Sequence, residues 1–183
     1  MRFFPLLLAA ALLQGCYVSL NSHASGSLDA PPPGPPESSP LPGWSIEGQG
    51  KSAYAAEADG DVVREGHPTI RFHPTRDPSG AYATFLTSID AAPLRGHRAH
   101  AEIWVRTQGV TGRGDVWIRV QSSGATGDGP GLAAAIVRLA PNAGFTRYEL
   151  TVDVPDAADR VELGVGLGGP GMLWMDGVKV EAL

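Results

Sequence analysis

Two tryptophans each stand two residues before an arginine: Trp104 before Arg106, and Trp117 before Arg119. Across residues 98–107, Ala99, Ala101, Ile103 and Val105 alternate with His100, Glu102, Trp104 and Arg106. Across residues 116–121, Val116, Ile118 and Val120 alternate with Trp117, Arg119 and Gln121. A period of two sends successive side chains to opposite faces of a strand, so each Trp/Arg pair falls on a polar face backed by an aliphatic one. An indole gives the C–H face of a sugar ring a flat apolar surface, and a guanidinium donates hydrogen bonds to hydroxyls. If the two strands are neighbours, Trp104, Arg106, Trp117 and Arg119 form one ligand-binding patch. The same pattern also suits tryptophans lying flat on a solvated sheet with arginines packed over them.

Other chemistry is thinly represented. His97 and His100 have H-x-x-H spacing, but a turn residue and a strand residue do not aim two imidazoles at one metal. His67 and His73 each precede a proline in loop-like sequence. No metal site is read from these histidines. No catalytic set is read either. There is no G-x-S-x-G nucleophile elbow, the single cysteine lies at position 16, and no spacing singles out a carboxylate pair. Arg113-Gly114-Asp115 is an RGD tripeptide in an expected hairpin loop, although Gly and Asp are also ordinary turn residues. The glycine loop 124–131 lacks the following helix that a phosphate cradle needs, and is read as a strand connection.

The elements that must position the tryptophans are strands. Beyond residue 44 the period-two runs are 53–57, 69–73, 82–89, 98–107, 115–122, 132–139 and 147–154, closed by a pair at 161–167 and 172–181. Gly, Pro, Asn and Asp punctuate nearly every gap, and no helix longer than a turn is expected. In the closing pair, Val161, Leu163, Val165 and Leu167 alternate with Glu162, Gly164 and Gly166. The Gly168-Gly169-Pro170-Gly171 turn after them predicts a C-terminal hairpin. About nine strands in one chain predict two antiparallel sheets, because a single sheet would leave an apolar face in water. A hydrophobic fraction of 43% is enough to build such a core. The net charge of −5, with no basic stripe, argues against nucleic acid as a partner.

The first quarter of the chain differs in kind. Residues 1–16 read MRFFPLLLAAALLQGC: one positive charge, then an apolar run too short to span a bilayer as a mature helix. This resembles a bacterial lipoprotein signal peptide at 1–15, with Leu13-Gln14-Gly15-Cys16 as its cleavage box. That resemblance implies acylation of Cys16 (diacylglycerol and palmitate), a membrane anchor, and a domain held in the cell envelope outside the cytoplasm. An ordinary secretory signal with Cys16 incidental is the other reading. Residues 16–43 form a tether; from Asp29 to Gly43 proline is so frequent that the chain stays extended and cannot donate to a sheet.

Four stretches of the remainder carry a family resemblance. Leu173-Trp174-Met175-Asp176-Gly177-Val178 resembles the closing strand of galactose-binding-like jelly rolls. Ala92-Pro93-Leu94-Arg95-Gly96, Val116-Trp117-Ile118-Arg119-Val120 and Phe145-Thr146-Arg147-Tyr148-Glu149-Leu150, leading to Val154-Pro155, match the same group in the same order. That group includes bacterial carbohydrate-binding modules and domains appended to esterase-like proteins and to arabinose-regulator-type transcription factors. For residues 44–183 the resemblance implies an all-β, two-sheet antiparallel jelly roll without catalytic activity. Relatives often hold a structural calcium near the closing strand. Gly177 stands where they have a second Asp, so calcium is the weakest of these implications, and no other cofactor is expected. The function expected is glycan recognition by Trp104, Arg106, Trp117 and Arg119 on a lipid-anchored envelope protein. A protein–protein adaptor using the same face is the first alternative, and an enzyme of unrecognised type the second.

Overall fold

Among the described residues the alternating sequence builds ten strands and no helix beyond two 3-10 turns, Lys51–Ala53 and Ala92–Leu94. The computed structural model describes residues 41–123 and 131–183. The Cys16 lipidation box, all of the tether before residue 41 and nearly all of the glycine loop lie outside the described residues. The strands are β1 (Trp44–Glu47), β2 (Tyr54–Arg64), β3 (His67–Pro74), β4 (Tyr82–Asp90) and β5 (Arg98–Gln108), then β6 (Arg113–Gln121), β7 (Ala133–Arg138), β8 (Ala143–Asp153), β9 (Arg160–Gly168) and β10 (Met172–Ala182). The extra strand is β1, four residues that are too few to show a period.

All strand pairs are antiparallel and form two five-stranded sheets. One has the order β1-β4-β9-β6-β7 (the β9 sheet), and the other β2-β3-β10-β5-β8 (the β10 sheet). Only β2–β3 and β6–β7 follow one another within a sheet. Every other connection crosses to the opposite sheet, which makes the sandwich a jelly roll. The inward parity of each strand fills the space between: Phe85, Ile118, Leu163 and Leu167 from the β9 sheet meet Phe72, Ile103, Leu173 and Met175 from the β10 sheet, all essentially without exposure. Phe72 and Phe85 stack across the sheets with centroids 6.0 Å apart, and Tyr54 and Trp44 extend the aromatic chain at 5.5 and 4.9 Å.

The expected C-terminal hairpin does not form. β9 already pairs with β4 on one edge and β6 on the other, so no edge remains for β10. The glycine-rich segment instead carries the chain between sheets, stacked on the β5–β6 crossing at the same end of the sandwich. Gly171 has φ 122°, and a Cβ there would fall 2.6 Å from Val110 Cα. Only glycine allows two backbones to pass that closely. β9 is also buried on both faces rather than one, because side chains from β4 and β6 fold over its outer side.

A second irregularity sets the last strand. Between Asp176 and Lys179 β10 gains a residue relative to β5, with Gly177 at φ 60°. This bulge reverses the facing of the strand beyond Gly177. Trp174 therefore does not share a face with Val180: it points outward, while Leu173 and Met175 point into the core.

Candidate functional site

The four predicted site residues do not meet. Trp104 and Arg106 belong to β5, on the outer face of the β10 sheet; Trp117 and Arg119 belong to β6, on the outer face of the β9 sheet. The two pairs lie back to back across the core. The 109–112 crossing between β5 and β6 changes sheet, and sequence parity alone carries no information about that crossing.

On the β10 sheet the outer face is closed upon itself. The Arg64 guanidinium lies over the Trp104 ring at 4.3 Å and pairs with Asp176 at 2.8 Å. Arg106 lies over Trp174 at 5.2 Å. Arg147 bridges Glu102 and Glu149, each at 2.7 Å. His73 bonds Glu57 at 2.9 Å within β3, not in a loop, and His100 faces Glu149 at 3.6 Å while His97 stays in its turn. Among the described residues no group of three or more His, Cys, Asp or Glu is arranged to hold a metal ion.

The β9 sheet is built differently. Reading across its strands, Ser45, Leu86, Gly164, Trp117 and Ile136 stand side by side on the outer face. The next row toward one end is Glu47, Thr84, Gly166, Asp115 and Arg138, and beyond it Tyr82 and Arg113 flank Gly168. Toward the other end the row is Ser88, Glu162, Arg119 and Ala134, and then Arg160. The central strand thus offers Gly164 and Gly166 where its neighbours carry side chains, and the rings of Trp117 and Tyr82 lean into the space. A Cβ at Gly164 would lie 2.6 Å from Trp117 Cζ2, and one at Gly166 would lie 2.2 Å from Tyr82 Oη. The result is a cleft of about 880 Å3 whose lining includes Glu47, Tyr82, Arg113, Trp117, Arg119, Arg160 and Glu162. It has a half-buried indole on its floor and charged groups on both walls.

Each wall is a fixed polar network. On one, the Tyr82 hydroxyl donates to Asp115 Oδ1 at 3.1 Å, Arg113 Nε donates to Asp115 Oδ2 at 2.5 Å, and the Arg113 guanidinium covers the Tyr82 ring at 4.4 Å. Burial, and then the adjacent Asp115 carboxylate, push the Tyr82 phenol well above its ordinary pKa, so it remains a donor. The RGD tripeptide is consequently part of strand β6, with Asp115 wholly buried, rather than an exposed loop. On the other wall Arg119 donates twice to Glu162 Oε2, at 2.9 and 2.6 Å, and Arg160 Nε donates to Oε1 at 2.8 Å. Arg119 also lies over Trp117 at 5.1 Å. Burial alone raises the Glu162 pKa, but the hydrogen bonds from the two arginines outweigh it and hold the carboxyl below its ordinary value.

That depression has a measurable consequence. Folded Glu162 takes up a proton less readily than it does in the unfolded chain, so its stabilising contribution is complete above its unfolded pKa, near 4.3. It is lost as the pH falls through that value and below. Glu162→Gln is expected to flatten this part of the stability–pH curve in urea titrations between neutral and acid pH. An unchanged acid slope in the variant would remove Glu162 from the account.

Sequence reading identified Trp117 and Arg119 but not Tyr82, Arg113, Asp115, Arg160 or Glu162. A signal was present in β9: small residues on the polar parity of a strand that is otherwise strongly aliphatic mark a floor over which neighbouring side chains fold.

No family model matches the chain. A curated relative, an uncharacterized HTH-type transcriptional regulator YbfP of Bacillus subtilis (strain 168), is 27% identical over 145 residues. That match covers 77% of this chain and 48% of the regulator, so the chain spans about half the length of the relative. Among solved structures, the enzymatically active domain of bacteriophage CBA120 tailspike protein 4 superposes with a TM-score of 0.63 at 16% identity, over 78% of this chain and 20% of that one. A cyclase from Fischerella sp. TAU gives a TM-score of 0.55 at 12% identity, over 79% and 86% of the two chains. TmCBM61, solved in complex with β-1,4-galactotriose, gives 0.51 at 11% identity, over 79% and 91%. Modules of families 4 and 16 superpose similarly. The two five-stranded sheets of this chain form a jelly-roll sandwich, the fold shared with these structures, carbohydrate-binding modules among them.

Proposed function

We propose that the cleft on the β9 sheet binds a glycan, and that Trp117, not Trp104, is the residue on which a sugar ring stacks. The observation that carries this is the Trp117 indole, half-buried over Gly164 and bordered on two sides by rows of fixed hydrogen-bonding groups. An apolar strip between polar walls suits a pyranose, whose faces are C–H and whose rim is hydroxyl. Arg119, with its guanidinium over Trp117, is the adjacent donor. An arginine lies over each indole, Arg64 over Trp104 and Arg119 over Trp117, but Trp117 lines the cleft, which favours this sheet over the opposite one. Among proteins of this fold, TmCBM61 was solved with a galactotriose.

Binding is also favoured over turnover by the state of the carboxylates. Asp115 is wholly buried beneath Tyr82 and Arg113, and Glu162 is held by two guanidinium groups. Neither is presented to a substrate as a proton donor or acceptor, and Glu47, the exposed acid of the lining, stands alone at the β1 margin without a second free carboxylate beside it in the lining. The test is a glycan array with the full-length protein followed by titration of the best ligand. Trp117→Ala is expected to weaken binding by about tenfold or more, and Trp104→Ala to leave it within about twofold. Equal losses in the two variants, or none in Trp117→Ala, would return the site to the β10 sheet or remove it. Capture of an envelope protein that competes for the same face, with no glycan bound, would favour the adaptor alternative.

The same proposal places the domain on a lipid anchor at Cys16, in the bacterial cell envelope, because the only cysteine falls where a lipobox requires it. Cys16→Ser is expected to release the protein from the membrane fraction with its melting behaviour unchanged. Intact-mass measurement showing unmodified Cys16 in the membrane fraction would sink the anchor.

A further inference from the structure

The charges of the cleft are layered by sign. Asp115 has no exposed side-chain surface and Glu162 has 9%, whereas Arg113 and Arg160 expose 45% and 40%. Each of these arginines donates only its Nε to the carboxylate beneath it. Among the described residues, no hydrogen bond engages the terminal Nη pair of either one. The negative groups of the walls are therefore spent in holding guanidinium planes, and what faces an incoming ligand is the outer edge of each plane.

The two edges are placed evenly. Trp117 stands opposite Gly164, Arg113 opposite Gly168, and Arg160 on β9 itself, so the stacking residue has one guanidinium four residues to either side, about 13 Å along the strand direction. Each guanidinium reaches one row inward, Arg113 to Asp115 and Arg160 to Glu162, and both side chains line the cleft. Glu47, the exposed acid of the lining, stands at the β1 margin, away from the β6 side. A chain with a net charge of −5 thus has a cleft whose solvent-facing groups beside the indole are cationic.

We propose that the cleft selects acidic glycans, specifically chains carrying hexuronate rings. One sugar face rests on Trp117 while carboxylates of the chain are held by the outer Nη edges of Arg113 and Arg160. The planar fork of a guanidinium matches the two oxygens of a carboxylate, and its remaining edge stays pre-aimed because the buried Asp115 and Glu162 fix the other. A neutral hydroxyl uses only one donor of such an edge. The proposal rests on the glycan-binding reading of the same cleft.

The experiment uses the full-length protein with polygalacturonate and glucuronoxylan, each against its carboxyl-reduced counterpart, together with a sulfated galactan. The acid forms are expected to bind about tenfold or more tightly than the reduced forms, with a preference that weakens as salt rises. Arg113→Lys and Arg160→Lys keep a positive charge over each buried carboxylate but remove the second edge. Combined, they are expected to bring the acid preference to within about twofold, with melting temperatures showing that the fold stands. Equal binding of acid and reduced chains, both lost in Trp117→Ala, overturns the selectivity and leaves the cleft. Binding of the sulfated galactan without either uronate overturns the carboxylate assignment. A protein that binds neutral glycans alone, through Trp117, also overturns the selectivity. If no glycan in the array or in this set responds to Trp117→Ala, the cleft reading itself fails and this inference falls with it.

Discussion

Trp174→Ala is expected to destabilise the domain by about 3–5 kcal/mol, although the indole takes no part in the central core. Trp174 points to the outer face of the β10 sheet, yet it is only 3% exposed. β2 bulges between Asp59 and Val63, and Asp59 turns one carboxylate oxygen to the backbone N–H groups of Asp61 and Val62 and the other to the indole Nε1, at 2.8 Å. Arg106 covers the ring. Removing the indole empties a large buried volume and leaves Asp59 Oδ2 with only the more distant Arg71 guanidinium, at 3.7 Å. Trp174→Phe separates the two losses: most of the ring remains, the hydrogen bond does not, and about 1–3 kcal/mol is expected. Urea unfolding of both variants measures the difference. A cost below about 1 kcal/mol for Trp174→Ala would show that the outer face is far looser than its burial indicates.

Gly164→Val is expected to abolish the cleft by addition rather than removal. The new Cβ would lie 2.6 and 2.9 Å from two Trp117 ring atoms and 3.0 Å from Leu86 Cβ. The ring has to swing off the floor, since the backbone of β9 is fixed by β4 on one side and β6 on the other. Affinity for the glycan that the unaltered protein binds should fall at least as far as in Trp117→Ala. The fold should lose about 1–3 kcal/mol from crowding and retain its strand content by circular dichroism. Because Gly164 carries no hydrogen-bonding side chain, loss of binding here reports the shape of the floor alone. Unimpaired binding in Gly164→Val, with a normal melt, would mean that the ligand does not seat over Trp117.

The class of fold and most of its strands are legible in the amino-acid order, because those depend on local quantities. Alternation at β5, β6 and β9 marks which side chains must be buried, and glycine and proline mark where the chain cannot continue a ladder. The inward residues Ile103, Val116, Ile118, Leu163 and Val165 are all legible in this way, and all are buried. Which strands lie side by side is set by packing across the whole chain. Parity assigns a residue to a face without saying to which sheet that face belongs, so Trp104/Arg106 and Trp117/Arg119 looked equivalent until the 109–112 crossing set them on opposite sides. The Gly168–Gly171 turn likewise has hairpin chemistry in isolation, and becomes a crossing because both edges of β9 are already paired. The partners that define the cleft are non-local in the same sense. Tyr82 meets Asp115 across 33 positions and Arg119 meets Glu162 across 43, and only the antiparallel register through β9 brings them together. Side chains choose a face by the geometry of one residue, whereas strands choose neighbours by burying the most apolar surface over the whole chain, a quantity that no short segment contains.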